Sequence, residues 1–354
     1  VGELTRREFL AYVSAVGATT VLGLPHLRGG LWPQLDSALA AAPELKELTA
    51  WGVIDAQISS QQVIADKKGF FAAQGMGVRN RLVQSGPDIG PLIAGGSAPV
   101  SFETNITVII VQASGVPAII VTPLANIAGT QAVVGRKGLT LQSAKDLEGM
   151  RIGMVNGAGV LIAIRNMAKE LGVDITKIKF INMAPVDQVA AISHGEIDAM
   201  AAWEPWVTKG IGAGGTFLFS GKLSALPGKK GPVNWMDFHT TLQVTRDFLK
   251  KNPETIRRML RALRTATGFV NANRDETINI LSTALTIPKP ELREMMNRNT
   301  YSMVVDNSFV QGSETITSFL LELKKLDKSP KLRDYTDFSL LGEVDPDLVK
   351  VKIQ

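Results

Sequence analysis

The sequence predicts an α/β fold arranged as two lobes. Short apolar runs alternate with helix-length segments along most of its 354 residues, the pattern of strands feeding mixed, largely parallel sheets. The alternation comes as two similar series, the second inserted into the first, so the chain has to cross between lobes twice. The composition suits this: 45% hydrophobic and 20% charged residues are ordinary for a globular protein and sufficient for two cores.

In chain order, Thr5-Arg6-Arg7-Glu8-Phe9-Leu10 leads into an uncharged stretch from Phe9 to Pro25 that Gly17, Thr19, Thr20 and Gly23 keep only weakly apolar. A basic pair, a short apolar segment and a small-residue exit make an export-signal pattern. Twin arginines followed by Phe-Leu resemble the twin-arginine signal, with Ala11 in place of its usual lysine. Ala38-Leu39-Ala40 supplies the exit, so residues 1–40 read as a leader cleaved near Ala40 and the protein as periplasmic, exported by the twin-arginine (Tat) machinery.

Lobe 1 then opens with a strand Leu48–Ile54 and a helix Ser59–Lys68, begun by a serine cap and ended before Gly69. Strand Val78–Val83, the turn Ser85-Gly86-Pro87-Asp88, a helix stopping at Gly95-Gly96 and strand Val100–Phe102 follow. Thr104 to Gly135 carries no charge, but Gly115-Val116-Pro117 and Thr122-Pro123 break it into a helix, Asn105–Ser114, and a buried strand, Ala118–Thr122, rather than a membrane span. The second series runs through strand Thr130–Val134, a short helix Ser143–Leu147, strand Arg151–Val155, helix Val160–Leu171, strand Lys179–Met183, helix Val186–His194 and strand Ala199–Trp203. From Thr240 the pattern reads as helical, most clearly over Pro253–Asn271 and Asp275–Leu285. The lobes divide as 41–127 and 236–354 for lobe 1 and 128–235 for lobe 2, with crossings near Leu124–Ala128 and Asn234–His239.

Several chemistries are excluded or weakened by composition. Without cysteine there is no disulfide framework, thiolate metal site or cysteine nucleophile. Three histidines in no metal-ligand spacing argue against a histidine metal centre, and no cofactor is expected. A net charge of +5 with 6% aromatics lacks the basic, aromatic-laced stripe of a nucleic-acid binder. Gly210-Ile211-Gly212-Ala213-Gly214-Gly215 fits G-x-G-x-x-G, but it follows a helical stretch and precedes strand Thr216–Phe219, the reverse of a dinucleotide site. Neither a P-loop nor a G-x-S-x-G elbow occurs. Asp187, Glu196 and Asp198 read as solvated carboxylates on a helix face and a turn rather than a catalytic pair.

What remains is resemblance. Asp66-Lys67-Lys68-Gly69-Phe70-Phe71-Ala72-Ala73-Gln74-Gly75-Met76 resembles the K-G-F-F-x-x-x-G-L segment of periplasmic solute-binding proteins of the nitrate/sulfonate/taurine branch, a superfamily that also includes thiamine-pyrimidine binders. Gln84-Ser85-Gly86 with Leu92-Ile93-Ala94-Gly95-Gly96, Asp146-Leu147-Glu148-Gly149-Met150-Arg151-Ile152-Gly153, Ala184-Pro185-Val186-Asp187, Ala190–Ala199 and Trp203-Glu204-Pro205-Trp206 are similar to that family's further blocks, in the family order. The resemblance implies a two-lobed, type II binding protein, each lobe a sheet flanked by helices, closing about a hinge on a small solute. It implies a monomeric, non-enzymatic component of an ABC importer, with a permease and an ATPase as partners. A sulfonate or taurine-like organic solute is the first expectation; a pyrimidine or thiamine precursor, nitrate, or a non-cysteine enzyme on the same fold are the alternatives.

The ligand loops are expected where strands end. Asp55, Gln57, Ser85, Gly86, Thr104, Asn105, Asn156, Gly157, Gly159, Asp187, Trp203 and Glu204 are the candidate binding residues. Helices beginning at Ser59, Ser85, Asn105, Gly159 and Val186 would aim free N–H groups into the cleft. The loops contain Asp55, Asp88, Glu103 and Asp187, with Glu204 nearby, and neither lysine nor arginine. A tight oxyanion site recruits arginine, so this set favours a zwitterion, an amine-bearing ring or a polar acid over nitrate. Trp203, Trp206 and Trp235 offer flat apolar surface to an organic portion. Glu204 has two readings, as the reader of a ligand amino group or as a structural carboxylate at the hinge.

Overall fold

A computed structural model of the chain describes residues 42–84 and 86–352. The export segment, its cleavage near Ala40 and Ser85 lie outside the described residues. Two sheets organise the remainder. The first has six strands in the order β13-β4-β12-β3-β1-β2, formed by β1 (Glu47–Val53), β2 (Gly77–Val83), β3 (Val100–Thr104), β4 (Ala118–Asn126), β12 (His239–Thr245) and β13 (Thr300–Tyr301). The second has seven, in the order β11-β10-β9-β5-β8-β6-β7: β5 (Ala132–Gly135), β6 (Arg151–Met154), β7 (Lys179–Asn182), β8 (Ala199–Ala202), β9 (Thr216–Ser220), β10 (Leu223–Ser224) and β11 (Gly231–Pro232).

The sheets are mixed, with less parallel pairing than the sequence pattern suggested. β1 runs parallel to β2 and β3, and β6 to β7 and β8. β12 is antiparallel to both β3 and β4, and β5 to both β8 and β9. The cause is the double crossing. β4 leaves the first sheet toward the second and β12 returns beside it, pairing from His239↔Asn126 to Thr245↔Ala118, so the two must run in opposite directions. β12 is also the main correction to the sequence reading, which turned helical at Thr240. Its Thr240, Thr241 and Val244 are β-branched, and its first six residues are buried between neighbours.

The helix after β1 starts three residues before the expected serine. It spans Ala56–Lys67, and Asp55 is its cap, accepting from the Gln57 N–H at 2.8 Å. Ser59 instead turns back on the strand, donating to the Val53 carbonyl at 2.8 Å and accepting from its N–H at 3.1 Å. Helices Pro253–Ala272 and Arg274–Leu285 pack over this element, so even Gln57, Ser60, Gln61 and Gln62 are buried. Their side chains are spent on backbone and neighbours, as Gln61 Nε2 is on the Leu124 carbonyl at 2.6 Å.

The uncharged stretch resolves into helix Asn105–Ala113 and β4, and among the described residues no helix is long and apolar enough to cross a membrane. The glycine-rich run joins helix Trp206–Gly212 to β9, helix before strand. Trp235 is core rather than ligand surface: it is 1% exposed, meets Phe219 edge-on at 5.5 Å between centroids, and donates from Nε1 to Glu170 at 2.7 Å.

The two crossings are tied together. Asn126 Nδ2 donates to Asp237 at 2.7 Å, the Ile127 N–H to the Phe238 carbonyl at 2.7 Å, and Lys222 pairs with Asp237 at 2.5 Å. Gly129, on the first crossing, has no room for a side chain: a Cβ there would lie 2.1 Å from the Arg298 carbonyl oxygen.

Candidate functional site

In α/β sheets ligands gather at the carboxyl ends of strands, and three adjacent ends converge here. The register Val53↔Val83 and Trp51↔Ser101 aligns β2, β1 and β3, so Asp55, Gly86 and the Glu103-Thr104-Asn105 turn share one edge. Gly86 lies directly on Glu103: a Cβ on it would come within 2.6 Å of Glu103 Oε1, so any side chain there would have to displace the carboxyl group.

Asp55 is half-buried, and both its oxygens accept from Gln57, one from the backbone N–H and one from Nε2 at 3.1 Å. Burial pushes its carboxyl up to about 6, against the pull of those hydrogen bonds, and the neighbouring Glu204 adds to the rise. Glu103 is 5% exposed. Its Oε1 accepts from the Thr104 hydroxyl at 3.1 Å, while Oε2 is buried without a hydrogen-bond partner. Burial raises this carboxyl to about 7, with Asp55 as a further cause. Among the described residues neither acid forms an ion pair.

Gln57 carries the contact to the second sheet. Its Nε2 donates to the Glu204 carbonyl at 3.2 Å, and its Oε1 accepts from the hydroxyl of Thr130 on the first crossing. Glu204 follows β8, joined to Pro205 by a cis peptide bond, and its side chain is fully buried. Its carboxylate accepts from Arg298 Nη1 at 2.8 Å and from the Thr208 N–H at 2.9 Å. Burial raises its pKa, while Thr208 and Arg298 oppose the rise. Arg298 immediately precedes the Asn299-Thr300 step into β13, so this pair links the edge strand of the first sheet to the turn after β8 of the second. The Glu204 carboxylate is thus already matched by a cation within the chain.

The other candidates divide. Thr104 belongs to the Glu103 group through its hydroxyl. Asn105 is fully buried and donates to Ser313 at 3.1 Å, with Oδ1 unpartnered. On the second lobe, the Asn156 N–H donates to Asn182 at 3.0 Å, and Asp187 stands exposed at the start of helix Pro185–His194. Gly157 faces Leu323, and Gly159 faces Met236 and Phe238, so these two pack on the C-terminal part and the second crossing. Trp203 is half-buried, as is Trp206, whose ring lies 4.7 Å from Lys209 Nζ. Helices Asn105–Ala113, Val160–Leu171 and Pro185–His194 begin without a side-chain cap. Two surface depressions, of about 340 and 260 Å3, are lined by none of these residues.

Sequence reasoning left Glu103, Thr130 and Arg298 off the candidate set. Glu103 was legible in principle, as the one ionisable residue of the strand VSFET, whose five residues are all buried. Arg298 carried no signal, since its partner lies 94 residues away.

Two mixed sheets flanked by helices make a two-lobed α/β architecture, and known structures share it. A sulfonate-binding SsuA of Methylobacillus flagellatus superposes with TM-score 0.72 at 18% identity, covering 88% of this chain and 99% of that one. SsuA of Escherichia coli gives 0.68 at 16% identity over 82% and 91%, and the nitrate-binding NrtA of Synechocystis gives 0.66 at 16% over 87% and 90%. Residues 59–277 match the NMT1/THI5 like family, and the chain belongs to it. Among curated relatives, an aliphatic sulfonates-binding protein of Bacillus subtilis is 22% identical over 308 residues, 85% of this chain and 89% of that protein. A binding protein of Brucella abortus is 23% identical over 235 residues, 66% and 70%. A pyrimidine phosphate synthase of Saccharomyces cerevisiae is 26% identical over 218 residues, 59% and 62%.

Proposed function

We propose that this chain is the extracytoplasmic solute-binding component of an ABC importer, holding a small organic solute, sulfonate- or taurine-like or related, between two closing lobes. The observation that carries the reading is the meeting of strand ends from both sheets, bridged by Gln57 to Glu204 and by Glu204 to Arg298. Two lobes joined by a tied pair of crossings suit hinge closure about a ligand at that edge. The permease and ATPase would engage the exposed rims, and export would use the Arg6-Arg7 leader. Relatives named as binding proteins support transport over turnover. So does the absence of cysteine from the chain, which removes a thiolate nucleophile.

The test is a thermal-shift screen of the purified protein against sulfonates, amino-sulfonates, aminopyrimidines and nitrate, with the ligand recovered afterwards. A binder at one hundred times its dissociation constant adds about 2.7 kcal/mol to the folded state. Recovery of the hit unchanged supports binding, whereas its conversion to a product would replace this reading with an enzyme.

A further inference from the structure

We infer that the solute carries a protonated nitrogen, an ammonium or amidinium group, and that Asp55 and Glu103 hold it. This deepens the solute-binding reading and rests on it. The two acids end adjacent strands, β1 and β3, and sit near enough for Asp55 to raise the proton affinity of Glu103. Neither is answered by a lysine or arginine among the described residues. Glu103 Oε2 is the telling atom: it belongs to a side chain 5% exposed and has no hydrogen-bond partner among the described residues, the Thr107 hydroxyl being a further donor at this carboxyl. A buried acceptor left unmatched is costly, and a carboxylate accepts from more than one donor. Beside it, Asp55 accepts only from Gln57 and keeps lone pairs free.

What is missing at this edge, among the described residues, is positive charge: Gln57 and Thr104 donate to the two carboxyls, but no lysine or arginine pairs with either and Glu103 Oε2 has no hydrogen-bond partner. A nitrate or a plain sulfonate brings more negative charge and more acceptors to a place that already has both. An ammonium brings three donors and one positive charge, and an amidinium a planar pair of donors that suits carboxylates. Of the two readings of Glu204, the ligand-amine one passes to these two acids, because Arg298 already occupies the Glu204 carboxylate. An acidic end of a zwitterion would have to face the uncapped helix starts, such as that of Val160–Leu171.

The two acids hold protons more tightly than ordinary carboxyls, and a bound cation must displace them. The other ionisable groups about the pair are Glu204, which adds to the rise at Asp55 and is itself met by Arg298, and Tyr301, whose own pKa Asp55 raises and Arg274 lowers. Binding should release a proton and tighten as pH rises.

Calorimetry with three matched pairs tests this: 2-aminoethanesulfonate with ethanesulfonate, 4-aminopyrimidine with pyrimidine, and 1,4-diaminobutane with 1,4-butanediol. The expected result is that an amine or amidinium member binds at least tenfold tighter than its partner. Its affinity at pH 8 should exceed that at pH 5.5 for any amine fully protonated across that range. Glu103→Gln should cost it tenfold or more, with Asp55→Asn, which keeps the helix cap, as a second variant. Binding of the amine-free members with equal or greater affinity, or affinity that climbs as pH falls, overturns this inference and leaves solute binding intact. Silence from all six at millimolar concentration overturns the solute-binding reading and this inference with it.

Discussion

Replacing Arg298 by methionine should destabilise the protein in a way that depends on pH. The Glu204 carboxylate is fully buried, and its two partners are the Arg298 guanidinium and the Thr208 N–H. Without the arginine, a buried charge is left with one hydrogen bond, a change that costs about 3–5 kcal/mol. The guanidinium is 23% exposed and shared with Glu294, so the lower end applies. For a chain of this size that is a fall in melting temperature of roughly 4–5 °C. Glu204 already has a raised pKa, and losing Arg298 raises it further. The folded variant then keeps a proton that the unfolded chain gives up, so stability falls as pH rises above the ordinary carboxyl value. The penalty should be full at pH 8 and mostly gone at pH 4.5, where Glu204 is protonated in the folded variant and about half protonated in the unfolded chain. Adding Glu204→Gln to Arg298→Met should recover much of the loss at pH 8. Differential scanning calorimetry reads all three variants. A deficit equal at both pH values, or under about 1 °C at pH 8, would refute the assignment of this pair as a buried charge match.

Two further outcomes follow from the same chemistry. Glu103→Gln should stabilise the empty protein at pH 8: a carboxyl moved from 4.5 to about 7 by burial opposes folding by roughly 3 kcal/mol once ionised. That gain should vanish near pH 4.5, and urea titrations at the two pH values measure the difference. Gly129→Ala should lower the melting temperature by several degrees, because its Cβ meets backbone, the Arg298 carbonyl, rather than a side chain free to move.

Where local pattern decides structure, the sequence was informative. Helix Val160–Leu171 has the residue bounds its apolar periodicity and flanking glycines indicate, and β1, β2 and β6 to β8 fall within a residue or two of the apolar runs read as strands. Elements decided by tertiary neighbours were less legible. β12 is threonine-rich and followed by helices, so little local pattern separates it from them; it becomes a strand because β3 and β4 flank it. Ser59 looked like a helix cap, but Asp55 is better placed once β1 ends at Val53. At the site, Asp55, Gln57, Gly86 and Thr104 were visible as strand-end residues. The consequence of burying Glu103 was not, because its exposure depends on the Gly86 turn lying over it. Glu204 and Arg298 show the same limit, since a carboxylate's availability depends on a partner far along the chain.

The most direct measurement is a crystal structure with the tightest-binding member of the matched pairs. The account predicts the ligand between the lobes, with its nitrogen within hydrogen-bond distance of Asp55 and Glu103 and its remainder toward the Trp203 side. A ligand seated elsewhere, for instance in the depression lined by Arg246 and Asp337, or one presenting an anionic group to Glu103, would contradict it.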